Sequence, residues 1–203
     1  LSGVVTPASV TISGSPQTAT IVNDERDYGD APTAAQSLFA GTYPTLQANT
    51  GAYHSQVPNG IHLGATIDAD ADGQPNVTAT GDGADEDGVT LPSALVLSTT
   101  ANITVNASGA GFLQGWVDFN RDGDWSDPGE QVFTNLVVLS GNNNLGIAVP
   151  GGASLGNTFA RFRLSTFSNL GITGPGVDGE VEDYAIEIVN TQFNIGDVTI
   201  AEG

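Results

Sequence analysis

Polar and apolar residues alternate along several short stretches of the chain, as they do in strands with one buried face. In the stretch TFARFRLS, from Thr158 to Ser165, every second side chain is apolar or small. Turns rich in Gly, Asn, Asp and Pro separate these stretches. The pattern predicts strands at Ala8–Ile12, Thr18–Val22, Ile61–Ala65, Ala94–Leu97, Ala101–Asn106, Gly111–Asp118, Gln131–Val138, Leu145–Val149, Thr158–Ser165, Tyr184–Val189 and Val198–Ile200.

Helical periodicity is nearly missing, and only Ala34–Phe39 predicts a short helix or turn. A parallel α/β fold needs crossover helices between its strands, so this class is disfavoured. Many short strands joined by Gly-rich turns, in a chain with 27 Gly and 10 Pro, indicate an all-β fold. We therefore expect a β-sandwich with long calcium-ordered loops and extra strands at both termini.

The composition changes once along the chain. Residues 26–90 are rich in Gly, Asp and Ala and contain few strand patterns, whereas residues 91–190 are dense in them. We expect the first part to form long loops wrapped on the sandwich. Loops of that length in a compact domain need something to order them, and bound ions would do so.

The chain is strongly acidic, with 23 Asp and Glu against 4 Arg and no Lys, for a net charge of -19. This balance excludes nucleic acid as a partner, because phosphates demand a basic surface. No apolar run approaches the length of a membrane span, so no membrane insertion is expected. The chain begins with Leu and contains no Met, which suggests a processed chain or a fragment.

The segment DFNRDGDWSDPGE, here called the acidic loop (residues 118–130), places acidic or amide side chains at every second position. Gly123 stands at the sixth position, as in the calcium-binding loop of an EF-hand. The flanking sequences are typical of strands, so the segment is a calcium loop of EF-hand-like spacing and not an EF-hand. The alternative is a solvated acidic turn. The candidate ligands are Asp118, Asn120, Asp122 and Asp124, with Asp127 and Glu130 competing for the last place.

Two further acidic stretches, IDADADGQPN and GDGADEDGV, follow one another after about a dozen residues. The first repeats the alternate-acid rhythm and ends in Gly. Calcium, with one or more ions, is the favoured explanation, and a hydrated loop is the alternative. The candidate ligands are Asp68, Asp70, Asp72, Asp82, Asp85, Glu86 and Asp87.

A third acidic stretch, DGEVEDY, begins at Asp178 and adds Glu180, Glu182 and Asp183 as candidate ligands. Strand alternation puts the two glutamates on one face. They either bridge to the 85–87 acids through an ion or pair with Arg161 and Arg163, and the sequence leaves both possibilities open. Hard oxygen ligands without any Cys favour calcium over zinc as the cofactor.

Several motifs occur together in a specific order: RDYGDAPTA, HLGATIDADADGQPN, DGADEDGV, WVDFNRDGDW, ARFRLS and DGEVEDYAIEI. In this order and spacing the segment 26–190 resembles the GEVED domain of large secreted or surface bacterial proteins. The resemblance implies an extracellular β-rich module that often occurs in tandem. It attaches no catalytic activity to the module.

The two ends resemble Calx-beta repeats. TATIVNDE, which closes residues 1–25, is similar to the last strand of such a unit, and FNIGDVTIAEG, within residues 191–203, is similar to the first strand of the next. This resemblance implies calcium ligands at Asp24, Glu25 and Glu202. It also implies partners, namely neighbouring modules of the same protein or identical subunits joined through terminal strands.

These features together predict a non-catalytic, calcium-stabilised structural module of a large extracellular bacterial adhesin or fibre. The alternative is a calcium-dependent carbohydrate-binding module for surface glycans, with a platform of Trp116, Trp125, Tyr28, Tyr43 and Tyr53. A hydrolase is disfavoured, because the chain has neither GxSxG nor HExxH and the carboxylates follow a metal-binding rhythm.

Overall fold

The computed structural model describes residues 25–81, 83 and 85–190 of the 203-residue chain. These ranges contain one α-helix, α1 (Ala34–Ser37), and one 3-10 helix, Gln47–Asn49. No helix within the described residues is long and apolar enough to cross a membrane. The strands are β1 (Arg26–Tyr28), β2 (Tyr53–Ser55), β3 (Val89–Thr90), β4 (Leu95–Val96), β5 (Thr100–Ala107), β6 (Gly111–Val117), β7 (Gln131–Val138), β8 (Gly141–Ala148), β9 (Gly156–Ser165), β10 (Pro175–Gly176) and β11 (Glu180–Val189).

The strands form three sheets. The largest has five strands in the order β4-β11-β9-β6-β7, antiparallel except for the short parallel pair of β4 and β11. A second sheet, β3-β5-β8, is antiparallel throughout. A third, β1-β2-β10, is built from segments of two or three residues. The all-β sandwich expected from the sequence is confirmed.

The main core lies between the five-stranded sheet and the β3-β5-β8 sheet. Ala160, Phe162 and Leu164 of β9 enter it from one side, and Ile103 and Val105 of β5 enter from the other. These are the apolar positions of the alternating pattern, which places them on one face of each strand. Their burial supplies the main hydrophobic stabilisation of the sandwich.

The opposite face of the five-stranded sheet is covered by the third sheet and by loops that include Phe39, Tyr43 and Pro44. Arg161 and Arg163 alternate with the core residues of β9 and so point into this second layer, where both are fully buried. Trp116, Trp125 and Tyr43 pack there as a second apolar cluster. The expected wrapping of residues 26–90 on the sandwich thus places polar and aromatic side chains together under a cover of loops.

Most strands predicted within the described ranges are present. The β7 bounds agree with the prediction, and α1 lies within the predicted helical segment. The strands β8 and β11 start earlier than expected, at Gly141 and Glu180, because their polar ends pair with β5 and β9. Three predicted strands, Ala8–Ile12, Thr18–Val22 and Val198–Ile200, fall outside the described residues.

The predicted strand Ile61–Ala65 is wrong. Only Leu63 makes an isolated bridge, with Ala107. Gly64 has φ +57, which a strand does not allow, and the Leu63 amide donates to a carboxylate oxygen of Glu180 at 2.5 Å. The segment is therefore irregular, and its backbone donates a hydrogen bond to the Glu180 side chain of β11.

Candidate metal centres

The acidic loop connects β6 to β7 and turns through three successive side-chain-to-backbone hydrogen bonds. Oδ1 of Asn120 accepts from the Asp122 amide at 2.9 Å, and Oδ1 of Asp122 accepts from the Asp124 amide at 3.2 Å. Oδ1 of Asp124 accepts from the Ser126 amide at 2.7 Å. Each bond closes a turn of the kind that Asn and Asp favour. The turns direct alternate side chains toward the same side of the loop.

Carboxylate oxygens of Asp122, Asp124 and Asp127 lie within 4.8 Å of one another as a result. Nδ2 of Asn120 donates to Asp127 at 2.6 Å and to Asp122 at 3.1 Å, so the amide side chain adjoins the three acids. The group is half-buried to exposed. Oxygen donors at this spacing suit a hard divalent cation such as calcium.

The other two candidates of the acidic loop lie beneath it. Asp118 is buried and accepts hydrogen bonds from the Tyr43 hydroxyl at 2.5 Å and the Gly123 amide at 3.0 Å. Glu130 accepts from the amides of Phe119 at 3.1 Å and Asp127 at 3.3 Å. Burial, followed by the charge of Asp118, raises the pKa of Glu130 to about 7. These two acids brace the loop backbone in this conformation.

A second group of acids is buried between β1, β11 and the segment before β3. Carboxylate oxygens of Asp27, Asp85 and Glu180, here called the buried carboxylate cluster, lie within 4.8 Å of one another. Glu180 and Glu182 reach the core side of the sheet because they stand opposite Leu164 and Phe162 of β9. Asp27 is the neighbour of Tyr28 in β1 and approaches from the covering layer, where its Oδ2 accepts from the Val181 amide at 2.7 Å.

The cluster retains polar atoms that the protein does not satisfy. Oε2 of Glu180 accepts from Leu63, but Oε1 of Glu180 and Oδ1 of Asp85 are buried without a hydrogen-bond partner among the described residues. Glu180 is 0% exposed and Asp85 is 6% exposed. Buried polar atoms are nearly always paired, and an unpaired one calls for an explanation such as an ion or a water molecule.

The electrostatics of the cluster are unfavourable without a cation. Two unit charges 4.8 Å apart repel by about 3 kcal/mol at an effective dielectric constant of about 20. Burial, followed by the charges of Asp27 and Glu182, raises the pKa of Glu180 far above its usual range. Burial and the nearby charge of Asp68 raise the pKa of Asp85 to about 6. The ion pair between Arg161 and Asp183 does not involve Asp85 or Glu180.

The remaining acids near the cluster are held by hydrogen bonds. Glu182 accepts from the Gly88 amide at 2.8 Å and the Tyr184 hydroxyl at 3.0 Å. Asp87 accepts from the Ala65 amide at 2.8 Å, and Glu86 accepts from the Asp183 amide at 3.2 Å. Glu180 and Glu182 are therefore next to the 85–87 acids, as one of the two sequence-based alternatives required.

The other alternative, pairing of the two glutamates with arginines, does not occur in the structure. Arg161 forms its ion pair with Asp183 instead, on the opposite face of the sheet, with Nε–Oδ1 and Nη2–Oδ2 distances of 2.7 Å. Arg163 donates to Nε2 of His54 at 3.0 Å and to backbone carbonyls. The reason is strand alternation, which sends residues 180 and 182 to one face and residue 183 to the other.

The other predicted ligands are scattered. Asp70 accepts a hydrogen bond from the Gln74 side chain at 2.5 Å. Asp72 accepts one from the Gln47 backbone amide at 2.6 Å, so the two acids have different partners. Asp68 is exposed, and its charge contributes to the raised pKa of Asp85. Glu25 is exposed and joins neither carboxylate group. Asp24, Asp82 and Glu202 lie outside the described residues.

Asp27 was missed by the sequence analysis. It stands in the RDYGD motif, where Glu25 is the one acid at an alternate position, so no longer run of alternating acids marks it as a ligand. Its partner amide in β11 is 154 positions away along the chain. The one signal for Asp27 was indirect: RDYGD and DGEVED are the first and last motifs of the same family resemblance, which would allow their acids to share a site.

The aromatic residues considered for sugar binding are covered. Trp116, Trp125, Tyr28 and Tyr43 are all buried. Tyr53 is half-buried and carries the Arg26 guanidinium over its ring, 4.5 Å from the centroid. Stacking on a sugar needs an exposed ring face, which none of these five residues presents in this conformation.

Fold and sites define the class: an all-β sandwich with acidic clusters in the loops and at the ends of its strands. The family model described as GEVED domain matches residues 112–187, from the second residue of β6 into β11. This stretch of the chain is identified as a GEVED domain. No curated protein matches the chain in sequence. The matched stretch includes the acidic loop and Glu180, whereas Asp27 and Asp85 precede its first residue.

Proposed function

We propose that the chain is a non-catalytic, calcium-stabilised structural module of a large extracellular bacterial adhesin or fibre. The observation that carries the proposal is the acidic loop, where Asp122, Asp124 and Asp127 converge within 4.8 Å between two strands of the main sheet. Calcium would remove their mutual repulsion and fix the loop against the sandwich. Extracellular modules bind calcium with dissociation constants of about 10⁻⁴–10⁻³ M, which suits a partly exposed site of this kind.

The surroundings of the loop support a structural role for the ion. Trp125 of the loop is buried, donates its indole N–H to the Phe159 carbonyl at 3.1 Å and packs on Tyr43 with 4.4 Å between ring centroids. The loop is thereby joined to the covering layer of the sheet. An ion there would fix a loop that Trp125 already joins to the covering layer.

The test is thermal unfolding of the 203-residue chain in calcium and in EDTA, with magnesium as the matched control for ionic strength. Calcium at one hundred times its dissociation constant adds about 2.7 kcal/mol per site. For a domain of this size that corresponds to a rise in Tm of about 5–10 °C. An equal Tm in calcium and EDTA would refute the proposal.

We further propose that neighbouring modules, or identical subunits, join through the terminal segments 1–25 and 191–203. The support is the similarity of both segments to Calx-beta strands, because strands at module boundaries can pair by β-strand addition. Deleting residues 193–203 and measuring the molecular mass by light scattering tests this. The full chain is expected to associate head-to-tail and the shortened chain to be monomeric; assembly by the shortened chain would exclude that strand as the junction.

A further inference from the structure

Three observations at the buried carboxylate cluster converge on a ligand. The cluster gathers carboxylates of Asp27, Asp85 and Glu180 within 4.8 Å. Oε1 of Glu180 and Oδ1 of Asp85 are buried atoms with no hydrogen-bond partner among the described residues. The protein supplies backbone amides to the other oxygens, Oε2 of Glu180 and Oδ2 of Asp27, which leaves an acceptor of Glu180 for something else.

A small cation would satisfy the unpaired oxygens of Glu180 and Asp85 and offset the carboxylate charges at the same time. The ion pair of Arg161 lies with Asp183 on the opposite face of the sheet, so it does not neutralise Asp85 or Glu180. Oxygen-only donors exclude the softer transition metals as preferred occupants. Calcium accepts irregular sets of six to eight oxygens, whereas magnesium demands a near-ideal octahedron. The exposed side chain of Asp68, whose charge acts on Asp85, marks a solvent side from which water can complete the shell.

We propose that the buried carboxylate cluster binds one calcium ion, separate from the acidic loop, that fastens β1 and the segment before β3 to the first residue of β11. The ion would anchor the covering layer to the sandwich by three positions far apart in sequence. This inference rests on the proposed function in that both use calcium. It differs in assigning a site, a ligand set and a place in the fold.

The experiment separates the two sites by working in a chain whose acidic loop has been neutralised. Asp122→Asn with Asp124→Asn removes two charges of the loop and leaves the buried cluster intact. Calcium binding to this variant is measured by titration calorimetry and by equilibrium dialysis with labelled calcium. We expect it to retain one calcium ion per chain. Retention of none would overturn the buried site.

Glu180→Gln is then added to the loop-neutralised variant. We expect calcium affinity to fall at least about tenfold, because a ligand of the ion is lost. We also expect the effect on stability to depend on calcium. In calcium the Glu180→Gln chain should melt below its parent because a ligand of the ion is lost, and in EDTA this difference should shrink or disappear. A structural role alone would lower Tm equally in both conditions.

Glu187→Gln is the matched control, because it makes the same change at an exposed position of the same strand. It should change neither affinity nor the difference in Tm between calcium and EDTA. Asp85→Asn provides a second ligand variant if Glu180→Gln fails to fold, and the same loss of affinity is expected. Unchanged binding in either ligand variant refutes the site.

The outcomes for the two proposals are distinct. If the unmodified chain binds calcium but the loop-neutralised chain does not, the proposed function stands and the buried site falls. If the unmodified chain binds one more calcium ion than the loop-neutralised chain, and Glu180→Gln weakens the binding that the loop-neutralised chain retains, both stand. Absence of calcium binding in the unmodified chain removes both.

Discussion

Arg161 and Asp183 form a two-pronged ion pair in which both side chains are fully buried, with two N–O distances of 2.7 Å. The same guanidinium lies 4.5 Å from the centroid of the Trp125 ring and donates to the Pro44 carbonyl at 2.7 Å. One side chain of the main sheet thus contacts the acidic loop, the covering layer and β11.

The first prediction follows from that pair. Arg161→Met leaves a buried carboxylate at Asp183 unpaired, and we expect a loss of about 3–5 kcal/mol in the free energy of unfolding. The double variant Arg161→Met with Asp183→Leu should lose clearly less, because no buried charge is left alone. Urea denaturation of the two single variants and the double variant gives the coupling energy. Strict additivity would contradict the prediction.

The second prediction concerns the acidic loop. Arg121 is held by the Leu155 carbonyl at 2.6 Å and the Asn157 carbonyl at 2.8 Å, so its peptide bond resists trypsin in the folded loop. Asp122→Ala removes one of the converging carboxylates, and we expect cleavage after Arg121 in calcium, before the sandwich unfolds.

Glu187→Ala is the control for that digestion, because Glu187 is an exposed acid outside both clusters. Trypsin followed by mass spectrometry gives a simple pattern, since the chain has no Lys and only four Arg. A variant at position 122 that stays intact as long as the control would show that this carboxylate does not hold the loop.

The third prediction concerns pH. The side chain of His54 is fully buried. Its Nε2 accepts a hydrogen bond from Nε of Arg163 at 3.0 Å, so the proton of the neutral ring is on Nδ1. Nδ1 donates that proton to the Asp178 carbonyl at 2.5 Å. Burial and the Arg163 charge hold the pKa of His54 well below its usual value of 6.5. Below pH 6.5 His54 is therefore protonated in the unfolded chain but stays neutral in the folded chain.

Stability should accordingly fall as the pH drops below 6.5, by up to about 1.4 kcal/mol per pH unit from this residue. The loss ends at the lower pKa of the folded state. His54→Gln keeps a donor and an acceptor but does not titrate, so its stability should fall less over the same interval. Urea denaturation at two pH values in saturating calcium measures the difference, and parallel curves would refute the assignment.

The fourth prediction concerns Gly29, in the turn after β1. A Cβ at this position would overlap Oδ2 of Asp183 and lie 2.9 Å from Nη2 of Arg161. We expect Gly29→Ala to cost about 1–3 kcal/mol, as overpacking does in a buried site. Gly152→Ala is the control, because a Cβ there meets nothing within 4 Å. Equal thermal stability of the two variants would contradict the prediction.

The strands with regular alternation, such as β5 and β9, could be predicted because each carries its own hydrophobic pattern. The strands β1, β2 and β10 could not, since pieces of two or three residues become strands only against a sheet that already exists. The candidate ligands of the acidic loop all lie within residues 118–130, so their spacing could be recognised in the sequence. The buried carboxylate cluster depends on three distant segments, and Asp27 acquires its neighbours only through the pairing of β1 with the rest of the fold.

The position of β11 in the five-stranded sheet has a consequence for how the protein is made. This strand is the last of the described part of the chain, yet it lies between β4 and β9, which are both synthesised earlier. A nascent chain that has not reached residue 189 therefore has two unpaired strand edges and an open core, and its contacts are mostly between distant residues. The sandwich can close only after this strand has left the ribosome, so its assembly is completed after all the other described strands have been synthesised.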